Sequence, residues 1–393
     1  MKMKKLMASL LAGAMLLSMA ACGGGSAPSS SAAPAPAADN NSTAAPADNN
    51  STAAPANSDA PAPAAADGET PYIAVVSKGF QHQFWQVVKK GADDAAAELG
   101  VEITFDGPPT ESDIAIQVDM LKSALDKKPA AVCLAALDPD AVKEQLDACK
   151  AANIPVIGFD SGVPGVEIYA TAATDNEAAA AIAADELFKN ETFKSKLDAA
   201  TPDAPIKVGV LSQDATSASI VGRTTGFIDK LVELAGADNV SVSGHDKYKK
   251  DAASPKLQIV VNVPATTSAA DQKTGAEALL GEGLAAIYAS NENAAGGVLS
   301  ATNDGSDFAP EGKFKDTISL GFDAGKTQRT AVENGWFYGS VTQDPYSIGH
   351  KAIELAVDAI NGKAAESPVV DTGAKWYNAE NLADPSISEL VYE

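Results

Sequence analysis

An alternation of short apolar runs and helix-patterned runs constrains this chain most. Apolar runs recur at 72–77, 101–105, 130–135, 155–159 and 167–171. Helix-patterned runs follow the first three at 82–99, 112–127 and 139–152; a loop at 160–166 follows the fourth, and a helix at 175–189 follows the fifth. A second series of apolar runs lies at 206–211, 256–263, 284–289, 317–322 and 337–342, with helices near 218–235, 268–280, 291–302, 324–334 and 345–361. Strands alternating with helices of this length form βαβ units around a parallel sheet. A polar, helix-bearing stretch from Lys189 to Pro205 separates the two series. The expectation is an α/β protein with two such sheets; the tail after 363 carries no clear pattern.

In an open α/β sheet, ligands bind beyond the carboxyl ends of the strands. The first run is followed by Lys78-Gly79-Phe80-Gln81-His82-Gln83-Phe84-Trp85, and the fourth by Asp160-Ser161-Gly162. In the second series, Gln213 to Ser217 follow the first run, with Arg223 one turn into the helix. Asn291-Glu292-Asn293, Asp323-Ala324-Gly325 and Gln343-Asp344-Pro345 follow later runs. Each residue alone has a structural use. An Asp or Asn caps a helix or a turn, an Arg lies on a helix surface, and Phe and Trp fill a core. Their shared edge singles out His82, Phe84, Trp85, Asp160, Arg223, Asn291, Asp323 and Gln343. All but the two aromatics exchange hydrogen bonds with a polyol.

The amino terminus reads as an export signal rather than as part of the fold. Lys2, Lys4 and Lys5 precede an apolar run from Leu6 to Met19, too short to span a membrane comfortably, and then Ala20-Ala21-Cys22. The cysteine after small residues makes residues 1–21 resemble a bacterial lipoprotein signal, with Cys22 as the acylated first mature residue. Residues 22–70 are almost wholly Ala, Pro, Ser, Asn, Asp, Thr and Gly, and the nonamer DNNSTAAPA stands twice in tandem, at 39–47 and 48–56. Such a segment has nothing with which to build a core, and it reads as a disordered tether spanning roughly 35–40 Å. Losing the three signal lysines takes the formal charge from −23 to −26. That acidity argues against nucleic acid or anionic lipid as the main partner.

Other chemistry finds little support. Gly321 to Thr327 looks like a phosphate loop, but three residues stand between its glycines where four are needed. There is no nucleophile-elbow, zinc-protease or paired-cysteine motif, and His82, His245 and His350 are far apart. No cofactor, metal or catalytic group is expected. Cys133 falls on an apolar run and Cys149 on a helical run, so they read as two buried small hydrophobes rather than a bridge.

Seven stretches together resemble the type I periplasmic sugar-binding proteins, the ribose-binding proteins most nearly. They are Gln83-Phe84-Trp85, Ile154 to Asp160, Ala173 to Asn176, Arg223 to Phe227, Ala289 to Glu292, Gly321-Phe322-Asp323 and Val341 to Pro345. The resemblance implies two Rossmann-like lobes joined by a three-strand hinge. One lobe would be 71–174 plus 344–370, the other 175–343 plus 371–393. A sugar would lie between them, with Phe84 and Trp85 against its ring. Asp160, Arg223, Asn291, Asp323 and Gln343 would hold its hydroxyls. The pattern also departs from the family: Ser161 and Val221 stand where ribose binders carry arginines, and His82 stands where an amide is usual. These departures imply a roomier site with fewer fixed donors, bordered by His82 and Ser161.

The implied role is capture of a monosaccharide, pentose or hexose, by a monomeric, lipid-anchored protein. It would work on the outer face of the membrane or in the periplasm and deliver the sugar to an ABC permease. The alternative is a receptor that presents the ligand to a membrane sensor or chemoreceptor. An enzyme on the same fold is the least supported reading.

Overall fold

A computed structural model describes residues 70–392. The signal, Cys22 and the tether through residue 69 lie outside the described residues. The strands are β1 (Tyr72–Val76), β2 (Glu102–Asp106), β3 (Ala131–Leu134), β4 (Val156–Phe159), β5 (Ala170–Ala173), β6 (Ile206–Leu211), β7 (Val240–Ser243), β8 (Leu257–Asn262), β9 (Ala286–Ala289), β10 (Ile318–Phe322), β11 (Gly339–Gln343), β12 (Val369–Asp371) and β13 (Ala374–Tyr377). The α-helices are α1 (Gln83–Leu99), α2 (Ile114–Asp126), α3 (Lys143–Ala151), α4 (Asn176–Lys189), α5 (Glu191–Ala199), α6 (Ala218–Ala235), α7 (Ala269–Leu280), α8 (Glu292–Ala301), α9 (Lys326–Glu333), α10 (Pro345–Ile360) and α11 (Pro385–Ser388).

The strands form two sheets. The first has the order β12-β5-β4-β3-β1-β2 and is parallel throughout. The second has the order β13-β11-β10-β9-β6-β8-β7, parallel except where β13 runs antiparallel to β11. Central strands such as β3, AVCL, are buried along their whole length because helices cover both faces. Cys133 and Cys149 are free thiols in this apolar packing, and burial pushes the Cys149 thiol up to about 11.

Four strands were illegible or misplaced in the sequence. β7 is a four-residue Val/Ser strand at the sheet edge, too short to stand out. β12 and β13 lie in the unpatterned tail. β5 begins at Ala170 rather than at 167, because Glu167 and Ile168 lie ahead of the stretch that pairs with β4.

The chain passes from the first sheet to the second after Ala173, back after Gln343, and forward again after Asp371. The passages are tied together. Thr174 Oγ1 donates to Gln343 Oε1 and to the Gly373 carbonyl, each at 3.2 Å, and Asp371 Oδ1 accepts from the backbone N–H groups of Asp175 and Gly373.

Close helix pairs flank both sheets. α1 lies on α10 with Gly91 against the Tyr346 carbonyl and Gly349 against the Val88 carbonyl, so a Cβ at either position would strike backbone. α6 lies on α4 the same way, with Gly226 against Glu177.

Candidate functional site

A cavity of about 330 Å³ opens between the carboxyl ends of the two sheets. From the first half it is lined by Lys78 to His82, Phe84, Trp85, Pro109 to Glu111 and Asp160; from the second by Gln213, Ile220, Arg223, Thr267, Asn291 to Asn293, Asp323 and Gln343. Eight of the nine site residues expected in this part of the chain meet there. Ser161 does not. It is fully buried, and its Oγ accepts the backbone N–H of Ser219 at 3.0 Å. The expectation that Ser161 borders the cavity is therefore corrected: its small side chain serves the contact between the halves.

The wall from the first half is built on β1 and the start of α1. His82 is the N-cap of α1, its Nδ1 accepting from Phe84 N at 3.3 Å, while its Nε2 lies 3.5 Å from Glu292 Oε2 of the opposite half. Phe84 and Trp85 are largely core, packed edge-to-face on each other and on Tyr392 and Phe159. Only part of each ring reaches the cavity. Trp85 Nε1 donates to Glu111 Oε1 at 2.8 Å, which holds the indole in one orientation. The most exposed aromatic at the site is Phe80, 37% accessible.

Two aspartates face each other in role. Asp160 ends β4 and Asp323 ends β10; both follow Gly-Phe, and both take a left-handed backbone, φ 52° and 78°. Asp tolerates that conformation better than most residues. Each backbone N–H still pairs with the neighbouring strand, Asp160 with Ala172 O and Asp323 with Val341 O. The carboxylates thus turn inward as the strands end.

Their partners differ. Asp323 Oδ1 accepts from Gln343 Nε2 at 2.7 Å, and Oδ2 from the backbone N–H of Glu292 at 3.1 Å and from Arg223 at 3.5 Å. Arg223 is itself fixed by Asn176, by the Ser290 carbonyl and by the Phe322 ring 3.9 Å below it. Asp160 has one charged partner, Lys78, whose Nζ lies 3.1 Å from Oδ2. The ammonium donates its aligned bond to Ser219 Oγ at 2.9 Å, and Oδ2 is left buried without an aligned donor.

The titration directions follow. Burial raises the Asp160 carboxyl. Burial acts to lower Lys78, but Asp160, Glu111 and Asp214 outweigh it and hold the ammonium charged. Burial also acts to raise Glu111, but Lys78 and the hydrogen bonds from Trp85 and Gln213 reverse it, so Glu111 is lowered.

Gln213 is the hub of the second half. Its Nε2 donates across the cleft to Glu111 Oε2 at 2.9 Å, and its Oε1 accepts from Asn291 at 2.7 Å and Asn293 at 3.1 Å. Asn291 also caps α8 through Ala294 N, so its structural use and its place in the cavity coexist. Further bridges, Ser112 to Thr267 and Thr216 to the Leu137 carbonyl, close the halves on one another.

Sequence reasoning left Lys78, Glu111, Gln213 and Glu292 unassigned. Lys78, Gln213 and Glu292 stood in the strand-end stretches. Glu111 follows β2, and carrying the strand-end rule to that run reaches it. Lys78 also answers the missing arginine at 161, because the cation beside Asp160 comes from the first loop instead.

Among the described residues no helix is long and apolar enough to cross a membrane. The sequence profile of the periplasmic binding protein domain matches residues 73–364. The D-allose-binding periplasmic protein of Escherichia coli is 26% identical over 318 residues, covering 76% of this chain and 90% of that protein. The ribose import binding protein RbsB of Bacillus subtilis is 23% identical, covering 74% and 82%. A solved structure from Brachyspira murdochii, described as an ABC transporter, LacI family transcriptional regulator, is 43% identical; the match covers 82% of this chain and 99% of that one, with TM-score 0.69. An ABC transporter solute-binding protein from Agrobacterium vitis with bound D-fucose is 28% identical over 82% of this chain and 100% of that one, with TM-score 0.67.

Proposed function

The chain belongs to the periplasmic binding protein family, and from that premise we propose that it captures one monosaccharide, pentose or hexose, in the cavity between its halves and delivers it to an ABC permease. Its family binds solutes outside the cytoplasm without transforming them, and the chain is a binding protein rather than an enzyme.

The observation that carries the sugar reading is the lining. Carboxylates, amides, an ammonium and a guanidinium converge from strand ends on a space of about 330 Å³, within the range of small-molecule sites. Phe80, Phe84 and Trp85 give one wall apolar surface. A sugar has apolar C–H faces and a polar equator, and this division suits it.

Binding and closure are coupled in this reading. The lobes are 71–174 plus 344–370 and 175–343 plus 371–393, moving about the passages tied by Thr174, Gln343 and Asp371. Ligand stabilises the closed form because only there do groups of both lobes reach it. The permease then distinguishes the loaded protein from the empty one by its shape. The protein acts as a monomer held by a lipid on Cys22.

A thermal-shift panel of pentoses, hexoses and ketoses tests the reading, since a ligand of the folded state raises the melting temperature by mass action. At least one sugar is expected to raise it in a concentration-dependent way. No shift with any of them would contradict the proposal.

A further inference from the structure

The cavity holds more negative charge than its own cations balance. Glu111, Asp160, Glu292 and Asp323 line it, against the two fixed cations Lys78 and Arg223. Arg223 is committed to Asp323. Lys78 pairs with Asp160 and also acts electrostatically on Glu111. Just outside, Asp214 and Arg329 bear on the site with opposite signs.

Glu292 is the cavity carboxylate on which neither Lys78 nor Arg223 bears. Its Oε2 accepts from Tyr392 OH at 2.9 Å and lies 3.5 Å from His82 Nε2, an imidazole that is a cation only when protonated. Its Oε1 takes no hydrogen bond from a described residue. The chain makes room for this side chain, because a Cβ at Gly325 would collide with the carboxylate. Burial raises the Glu292 carboxyl, with Asp323 adding to it and His82, Tyr392 and Arg329 opposing it. Asp160 Oδ2, buried and without an aligned donor, is a second open acceptor in the same cavity.

Closing two lobes over an unbalanced carboxylate is unfavourable unless the ligand brings the opposite charge. A neutral sugar gives Glu292 a hydroxyl but no charge. No group of three or more described His, Cys, Asp or Glu residues is arranged to hold a metal ion, whereas a single carboxylate beside hydroxyl-binding side chains suits an ammonium carried on a polyol. The cavity volume limits it to about the size of one sugar.

We infer that the cleft selects a monosaccharide bearing a protonated amine, an amino sugar, and that Glu292 is the carboxylate that meets the ammonium while Asp160 takes a hydroxyl. This rests on the sugar-binding reading above and deepens it.

The test is calorimetric titration of matched pairs: D-glucosamine with D-glucose, D-galactosamine with D-galactose, D-mannosamine with D-mannose. Each is measured at a pH below the amine's own titration, about 7.7–8.0 by analogy with an α-amino group. At least one amine is expected to bind about tenfold or more tighter than its parent. In Glu292→Gln that preference is expected to fall to about threefold or less. If every parent sugar binds as tightly as its amine in the wild-type protein, the inference is overturned, and this arm needs no variant to fold. A preference that survives in a Glu292→Gln protein of normal melting temperature also overturns it. If no sugar binds at all, charged or neutral, the sugar-binding reading falls together with the inference.

Discussion

In each half a strand at the cleft ends in Gly-Phe-Asp, with the aspartate in a left-handed turn: Asp160 after β4 and Asp323 after β10. The surroundings differ. Asp323 is held at every polar atom. Its carboxylate takes Gln343, Arg223 and the Glu292 backbone, and its carbonyl takes Ser340 Oγ and Tyr377 OH, each at 2.9 Å. Asp160 has Lys78 and no aligned side-chain donor. The first is a finished piece of structure that borders the cleft. The second is 4% accessible yet keeps acceptor capacity that the protein does not use. Buried acceptors are normally satisfied, and in the proposed function a ligand hydroxyl completes the set around Asp160, which Lys78 alone approaches, at 3.1 Å.

Each prediction presses on this contrast. The largest effects fall on the cations. Replacing Lys78 or Arg223 by Met strands a buried carboxylate and is expected to lower stability by about 3–5 kcal/mol, read by urea denaturation. A loss under 1 kcal/mol for both would mean that neither pair is ionic. Next comes Asp323→Ala, expected to destabilise by about 2–4 kcal/mol because it strands Arg223 and Gln343 together. Asp160→Ala is expected to cost only about 1 kcal/mol of stability, since Lys78 keeps Glu111 and Asp214 in reach. Equal losses would erase the distinction between the two aspartates.

Trp85→Phe removes the donor to Glu111 and is expected to cost about 1.5–3 kcal/mol, as for a hydrogen bond to a charged group. Its melting curve should shift while the fold persists, because Phe keeps most of the packing. The smallest effects are in pH dependence, where the two halves of one network move oppositely. The folded-state pKa of Asp160 is raised, so its contribution is fully present below the ordinary value of 3.8 and is lost as pH rises through the folded pKa. Asp160→Asn should therefore gain stability relative to wild type as pH climbs from acid to neutral. That of Glu111 is lowered, so its contribution is present above the ordinary 4.5 and is lost as pH falls through the folded pKa. Glu111→Gln should lose most at neutral pH and converge with wild type in acid. Parallel curves for the two variants would break the account of who holds the charge.

The sequence carried the layer architecture because period and length distinguish βαβ units plainly, and the strand-end rule then gathered residues from six separate segments at one cavity. What it could not carry was contact. Ser161 follows Asp160 directly, but the turn at φ 52° sends its side chain away from the cavity and into the contact with Ser219. Lys78 lies at a strand end beside apolar residues, yet only the fold brings it to Asp160, 82 positions further along. Phe84 and Trp85 illustrate the same limit: as motif residues they imply a wall, while in the fold most of each ring is core and Phe80 is the more exposed aromatic. The short edge strand β7 and the tail strands β12 and β13 were hidden because pairing with neighbours, not their own pattern, makes them strands.

In the proposed function the space between these aspartates takes the sugar, and Asp160 is the group that meets it. Calorimetric titration of wild type and Asp160→Ala, with the sugar that gives the largest thermal shift, tests this most directly. Binding weaker by about 2–4 kcal/mol is expected in the variant, roughly 30- to 1,000-fold in Kd, with the melting temperature of the free protein little changed. Affinity equal to wild type in a folded Asp160→Ala protein would contradict it.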